Sequence, residues 1–234
     1  VEIDKARLDA SLTRLHHLVP ERVELGELLS EAVRAITDVF GLDGAGILVV
    51  DADRALRSVA ASNSSGRLLE QVQEELGEGP CVESFVLDEL VVSPDLTAEA
   101  RWPRARPRLL AGGVRAVLGV PLRMGGGPIG TLNVADDSPR EWTPAEREAL
   151  ERFGQVLESI LLAGLVADRS TKLARQLQFA LDYRVPIDRA VGYLMAVWDT
   201  DAVTAFERLR RAARSSRRRV SELAEEILAG RVRL

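Results

Sequence analysis

Seven arginines, Arg208, Arg210, Arg211, Arg214, Arg217, Arg218 and Arg219, crowd into twelve positions near the end of this 234-residue chain. A guanidinium is a planar fork of N–H donors that bonds two oxygens of a phosphate at once and lies flat against exposed rings, so the cluster points to an anionic partner. The other side chain with chemistry to offer is Cys81, the sole cysteine, which follows Gly77-Glu78-Gly79-Pro80 directly. Pro80 is suited to begin a helix, and a thiol near a helix N-terminus is stabilised as thiolate, which makes Cys81 a redox or covalent-sensor candidate. The competing reading is a small apolar residue filling the core. One cysteine and two histidines supply neither an internal disulfide framework nor a Cys/His zinc set. No Ser/His/Asp order or P-loop is present, so no catalytic residue and no metal ligand is assigned, and the chain is not read as an enzyme.

Net charge is −5, distributed unevenly. Residues 166–234 carry fourteen Lys/Arg against nine Asp/Glu, whereas residues 1–165 carry seventeen against twenty-seven. An acidic body with a basic end suits a regulator whose effector meets nucleic acid; a solvated arginine-rich helix face has the same composition. No apolar run approaches the roughly eighteen residues needed to cross a bilayer, and residues 1–14 lack the apolar stretch of a signal peptide. With the lone cysteine, these features point to the cytoplasm and to no membrane partner.

The elements that must position these groups follow from periodicity. Residues 1–21 hold a weak amphipathic helix, and Leu25 to Phe40 recur at three- and four-residue spacing before Gly41 stops a stronger one. Short apolar runs at 45–50 and 55–61 read as strands, 68–76 as a helix, 90–92 as a brief strand and 101–111 as a helix. Strands at 114–122 and 128–136, joined by Met124-Gly125-Gly126-Gly127, read as a hairpin. The fold class is therefore α+β, an antiparallel sheet flanked by helices. Thr143-Pro144-Ala145-Glu146 is a capping box. Beyond it no breaking signal appears until Pro186, which predicts one long helical connector whose narrow stripe at 163–183 suits a dimeric coiled coil or packs back on its own domain. Pro186 is expected to begin the first of three short helices, Thr200-Asp201 the second, and Ser216 to cap the third.

The segments GEGPC (77–81), RWP (101–103), GVRAVLGVPLR (113–123) and PIGTLNVAD (128–136) resemble a GAF domain of the bacterial signalling type over residues 22–162. That resemblance implies a sheet of about six strands holding a small ligand on one face. The Asn-Lys-X-Phe-X-Asp-Glu signature of cyclic-nucleotide-binding members is absent, so the ligand or cofactor is left unassigned. Cys81, Phe85 and Trp102 are the weak candidates for sensing, each with core packing as the competing role.

Residues 184–234 resemble the ANTAR domain, through Ile187-x-x-Ala190-x-Gly192-x-Leu194-Met195, then Ala205-Phe206-x-x-Leu209-Arg210, then arginines before Val220 and Ala224. Val191 stands where that family usually has lysine, and Arg217 where asparagine is common. The resemblance implies a three-helix RNA-binding unit that recognises hairpin loops in nascent transcripts in transcription antitermination. The residues selected for RNA contact are Arg184, Arg189, Arg210, Arg214, Arg217, Arg218 and Arg219, with Tyr193 and Trp198 as weaker stacking candidates. The expected partners are RNA, a second copy of the chain and an unknown small ligand. A DNA-binding regulator and a thiol redox enzyme centred on Cys81 are the alternatives.

Overall fold

The computed structural model describes residues 4–16, 24–51, 55–124, 127–167, 172–216, 218 and 220–234. The chain divides into two compact units, Val1–Gln178 and Phe179–Leu234. The first is built on five antiparallel strands, β1 (Gly44–Val50), β2 (Leu56–Ala61), β3 (Val91–Ser93), β4 (Ala116–Met124) and β5 (Gly127–Asp136), in the order β2-β1-β5-β4-β3. Five strands among the described residues replace the six expected from the resemblance.

Helices α1 (Lys5–His16), α2 (Leu25–Phe40) and α6 (Pro144–Ala167) pack together, with α2 and α6 against the sheet. Helices α3 (Ser64–Leu76) and α4 (Pro80–Leu87) also pack on it, and α5 (Ala105–Ala111) packs on α3. Strand pleating separates the two groups. A Cβ on Gly46 would meet Glu70 of α3 and one on Gly119 would meet Ser84 and Cys81 of α4, while the neighbouring Val120 and Leu122 lie against Gly154 of α6. Coverage of both faces is why β1 reads as an unbroken apolar run, with every residue buried, and why β4 and β5 are largely apolar.

The local signals act as their chemistry demands. Gly41 adopts the left-handed conformation (φ 62°) that ends α2. At the start of α6, Glu146 N–H donates to Thr143 Oγ1 at 3.2 Å, and Thr143 N–H donates to Glu146 Oε2 at 2.8 Å. Phe153 of α6 then meets Phe40 of α2 with ring centroids 6.1 Å apart.

The helices after α6 differ from expectation. In place of one helix broken at Pro186, α6 ends at Ala167 and α7 runs from Lys172 through Pro186 to Trp198, with residues 168–171 outside the described set. Proline removes one helical hydrogen bond and crowds the carbonyl four residues back, at roughly 3 kcal/mol. Burial of Ile187, Ala190, Val191 and Leu194 on the next turns opposes that loss. At the other end of α7, Ala174 and Leu177 are fully buried and Gln176 Nε2 donates to the Val49 carbonyl at 2.8 Å, so this part of the stripe packs back on its own sheet.

The second unit joins the later turns of α7 to α8 (Ala202–Ser215) and α9 (Val220–Leu228) around one apolar core. Asp201 caps α8, accepting from Thr204 N–H at 2.8 Å. Ser216 does not cap α9; its hydroxyl donates back to the Ala212 carbonyl at 2.7 Å, closing α8 instead.

Candidate nucleic-acid interface and sensor core

The arginines take their positions from the small core. Ala205, Leu209 and Ala213 of α8 face Leu223, Ala224 and Ile227 of α9 and Ile187, Ala190, Val191 and Leu194 of α7. With that face occupied, Arg208 and Arg211 project into solvent from α8, and Arg189 does so from α7. None of these three forms an ion pair among the described residues. Arg210 is half-buried. Arg218 is half-buried and pairs with Glu226; the contact raises the guanidinium's pKa and lowers the carboxyl's. The side chains of Arg184 and Arg214, and Arg217 and Arg219 altogether, lie outside the described residues. Their spacing off the 205-209-213 core stripe puts Arg208 and Arg211 on the outer face in the sequence as well, although neither is among the residues selected there for RNA contact.

Val191 is only 9% exposed and belongs to the core, so valine in place of lysine fills apolar space there. Gly192 has nothing within 4 Å of where a Cβ would stand, so no helix packs closely on it among the described residues. It lies on an exposed face with Tyr193 at 49% and Val197 at 55% exposure. Trp198 is partly buried against the core, and the Arg208 guanidinium lies over its ring, 5.1 Å from the centroid.

On the sheet face under α3 and α4 the first unit buries a polar cluster. Asn133 Nδ2 of β5 donates to Glu70 Oε1 at 2.9 Å and to Thr131 Oγ1 at 3.0 Å. Gln73 Nε2 donates to Cys81 Sγ at 2.7 Å, and Cys81 N–H donates to Gln73 Oε1 at 2.8 Å. Gly79 precedes α4 at φ 140°, against the Gln73 amide where a Cβ would collide, so both its backbone and its surroundings require glycine. Glu70 Oε2 and Asn133 Oδ1 are buried with no partner among the described residues.

The GAF domain pattern matches residues 24–161, more than half of the chain. This chain belongs to the GAF domain family. An ANTAR domain follows at residues 175–228, and the combination is that of a signal-responsive RNA-binding antitermination regulator. No curated protein sequence matches the chain. Among solved structures, the GAF domain of an Acinetobacter phosphoenolpyruvate-protein phosphotransferase is 16% identical with a TM-score of 0.55, covering 71% of this chain and 96% of that one. A free methionine-R-sulfoxide reductase from Neisseria meningitidis is 19% identical with a TM-score of 0.57, covering 72% and 96%. A bacteriophytochrome from R. palustris is 13% identical with a TM-score of 0.56, covering 82% and 41%. At these identities the likeness is one of fold.

Within the GAF unit, Cys81 is wholly buried. Burial first, and the neighbouring Glu70 charge second, push its thiol well above the usual range, outweighing the Gln73 hydrogen bond that acts the other way. Phe85 lies one turn along α4 and is half-buried. Trp102 is 3% exposed, donates from Nε1 to Glu83 Oε2 of α4 at 2.7 Å, and has the Arg101 guanidinium 4.3 Å from its ring centroid. Arg101 in turn pairs with Glu83 at 3.0 Å and Glu99 at 2.6 Å, which ties the segment before α5 to α4. The polar cluster escaped sequence reasoning; its trace was Asn133, a lone amide inside an apolar strand. Asp43, Asp136 and Asp137 also converge, but Asp136 already holds Arg140 at 2.7 Å and Asp137 N–H donates to Asp43 Oδ2, so the trio is tied into the fold.

Proposed function

We propose that the ANTAR unit binds hairpin loops in nascent transcripts, preventing a terminator from forming, and that the GAF unit sets when it does so. The observation that carries this reading is the set of solvent-facing arginines, Arg189, Arg208 and Arg211, held on an ordered three-helix core without carboxylate partners among the described residues. Guanidinium groups so placed neutralise phosphates and stack on unpaired bases, which is where RNA sequence is read. Arg184, Arg210, Arg214, Arg217 and Arg219 extend the interface, and Arg218 joins it when Glu226 releases it. Only differential binding is required, with no catalytic step.

The receiver of the signal is the polar sheet face of Glu70, Thr131 and Asn133, and a small ligand is favoured over oxidation because the Cys81 thiol is buried and protonated. The protein acts in the cytoplasm; no described helix is long and apolar enough to cross a membrane. It works as a homodimer through α6, where Leu162 is 50% and Val166 69% exposed, one turn apart. Sedimentation of the full chain tests the pairing, and Leu162→Glu should yield monomer. Competition between a loop-containing RNA and duplex DNA at matched salt tests the partner, and tighter, sequence-selective DNA binding overturns the RNA reading. Sequencing the RNA that co-purifies with the protein identifies the transcripts.

A further inference from the structure

The geometry points to Arg208 and Trp198 as a preformed stacking element that takes one unpaired base of the RNA on the outer face of the guanidinium. This inference rests on the RNA reading above and adds to it a specific contact. Trp198 is the last residue of α7 and is fixed there: Asp199 turns into the left-handed conformation (φ 48°), and Thr200 N–H closes back on the Met195 carbonyl at 3.2 Å. The indole is partly buried and packs against the core of the second unit. Arg208, carried by α8 and itself exposed, lies over the ring at 5.1 Å from its centroid.

An arginine meant only to meet phosphate gains from reach and freedom. Arg208 rests over a ring, so part of its rotamer entropy is already lost in the unbound protein, and binding loses less. Its charge is not cancelled by a carboxylate among the described residues, and the indole gives it an apolar, electron-rich backing. The guanidinium over the indole is exposed, so it offers a planar cation to solvent. A nucleobase continues such a stack, and the N–H edge still reaches the adjoining phosphate. Paired bases inside a stem do not offer their faces, so the element selects an unpaired base.

The test uses the full chain and an RNA stem capped by a loop of randomised sequence, beside the same stem with an abasic loop, binding followed at one salt concentration. Arg208→Lys keeps the charge and loses the plane. It should weaken binding to the base-containing loop about tenfold while leaving the abasic loop within about twofold. Trp198→Phe should give the same pattern at about threefold, with helix content by circular dichroism unchanged. Equal loss on both loops shows that Arg208 serves the RNA backbone and not a base, and no loss on either shows that it acts as charge alone; each result overturns the stacking element. If the wild-type protein binds neither RNA, the RNA reading fails and takes this inference with it. If wild type binds but the variants do not discriminate between loops, only this inference fails.

Discussion

The amide of Asn133 on β5 donates at 2.9 Å to the carboxyl of Glu70 on α3, joining helix to sheet through a group that has no exposure to water. Burial is the largest influence on Glu70 and lifts its pKa from 4.5 to about 8; the Asn133 bond offsets part of this and the charge of Glu74 adds to it. The folded protein therefore holds this proton more tightly than the unfolded chain. Its stabilising effect is complete below pH 4.5 and is lost as pH rises toward 8, at about 1.4 kcal/mol per pH unit. Urea denaturation from about pH 5 to about pH 8 should show this decline in wild type and a flatter profile in Glu70→Gln, with the variant the more stable near pH 8. Parallel profiles would assign the decline to other groups.

Gly192→Ala should separate stability from binding. A helix-interior glycine with open space at its Cβ gains about 0.5–1 kcal/mol on becoming alanine. The methyl group would stand on the exposed face beside Arg189 and Tyr193, where close approach of RNA is lost. A raised midpoint in thermal melting with weaker hairpin binding is the expected pair of results. Unchanged affinity would remove the α7 face from the interface.

Glu226 competes with phosphate for Arg218. Glu226→Gln should strengthen hairpin binding and steepen its dependence on the logarithm of salt concentration by about one, as one further counterion is released. Helix content should be retained, because α9 is held by Leu223, Ala224 and Ile227. Unaltered salt dependence would place Arg218 away from the RNA.

Cys81 should be nearly inert in the native protein. With its thiol buried and protonated, alkylation by iodoacetamide should run at least about a hundredfold slower than in urea. Mild peroxide should leave hairpin affinity unchanged in both wild type and Cys81→Ser. A peroxide effect present only in wild type would make Cys81 the sensor.

Local rules carried much of the fold into the sequence. The apolar stripe from Leu25 to Phe40, Gly41 as its stop, the Thr143–Glu146 capping box and the β4–β5 hairpin are all written in spacing and turn chemistry within a few residues. The core stripes of α7, α8 and α9 were legible for the same reason, and they turned a basic stretch into a folded unit with outward arginines. What spacing does not contain is who stands opposite. That Pro186 lies inside a helix was decided by burial of the turns that follow it, a gain that local propensity does not count. Val191 filling the core and Gln176 reaching the Val49 carbonyl were settled by partners distant in sequence, whereas Ser216 closing α8 on the Ala212 carbonyl was a choice between two local roles. Glu70 meets Asn133 across sixty-three positions, and only packing could make one carboxyl and one amide into a buried pair. Arg208 is likewise one of seven equivalent arginines in the sequence. The tertiary structure singles it out by placing its guanidinium over Trp198, a partly buried ring that packs against the core.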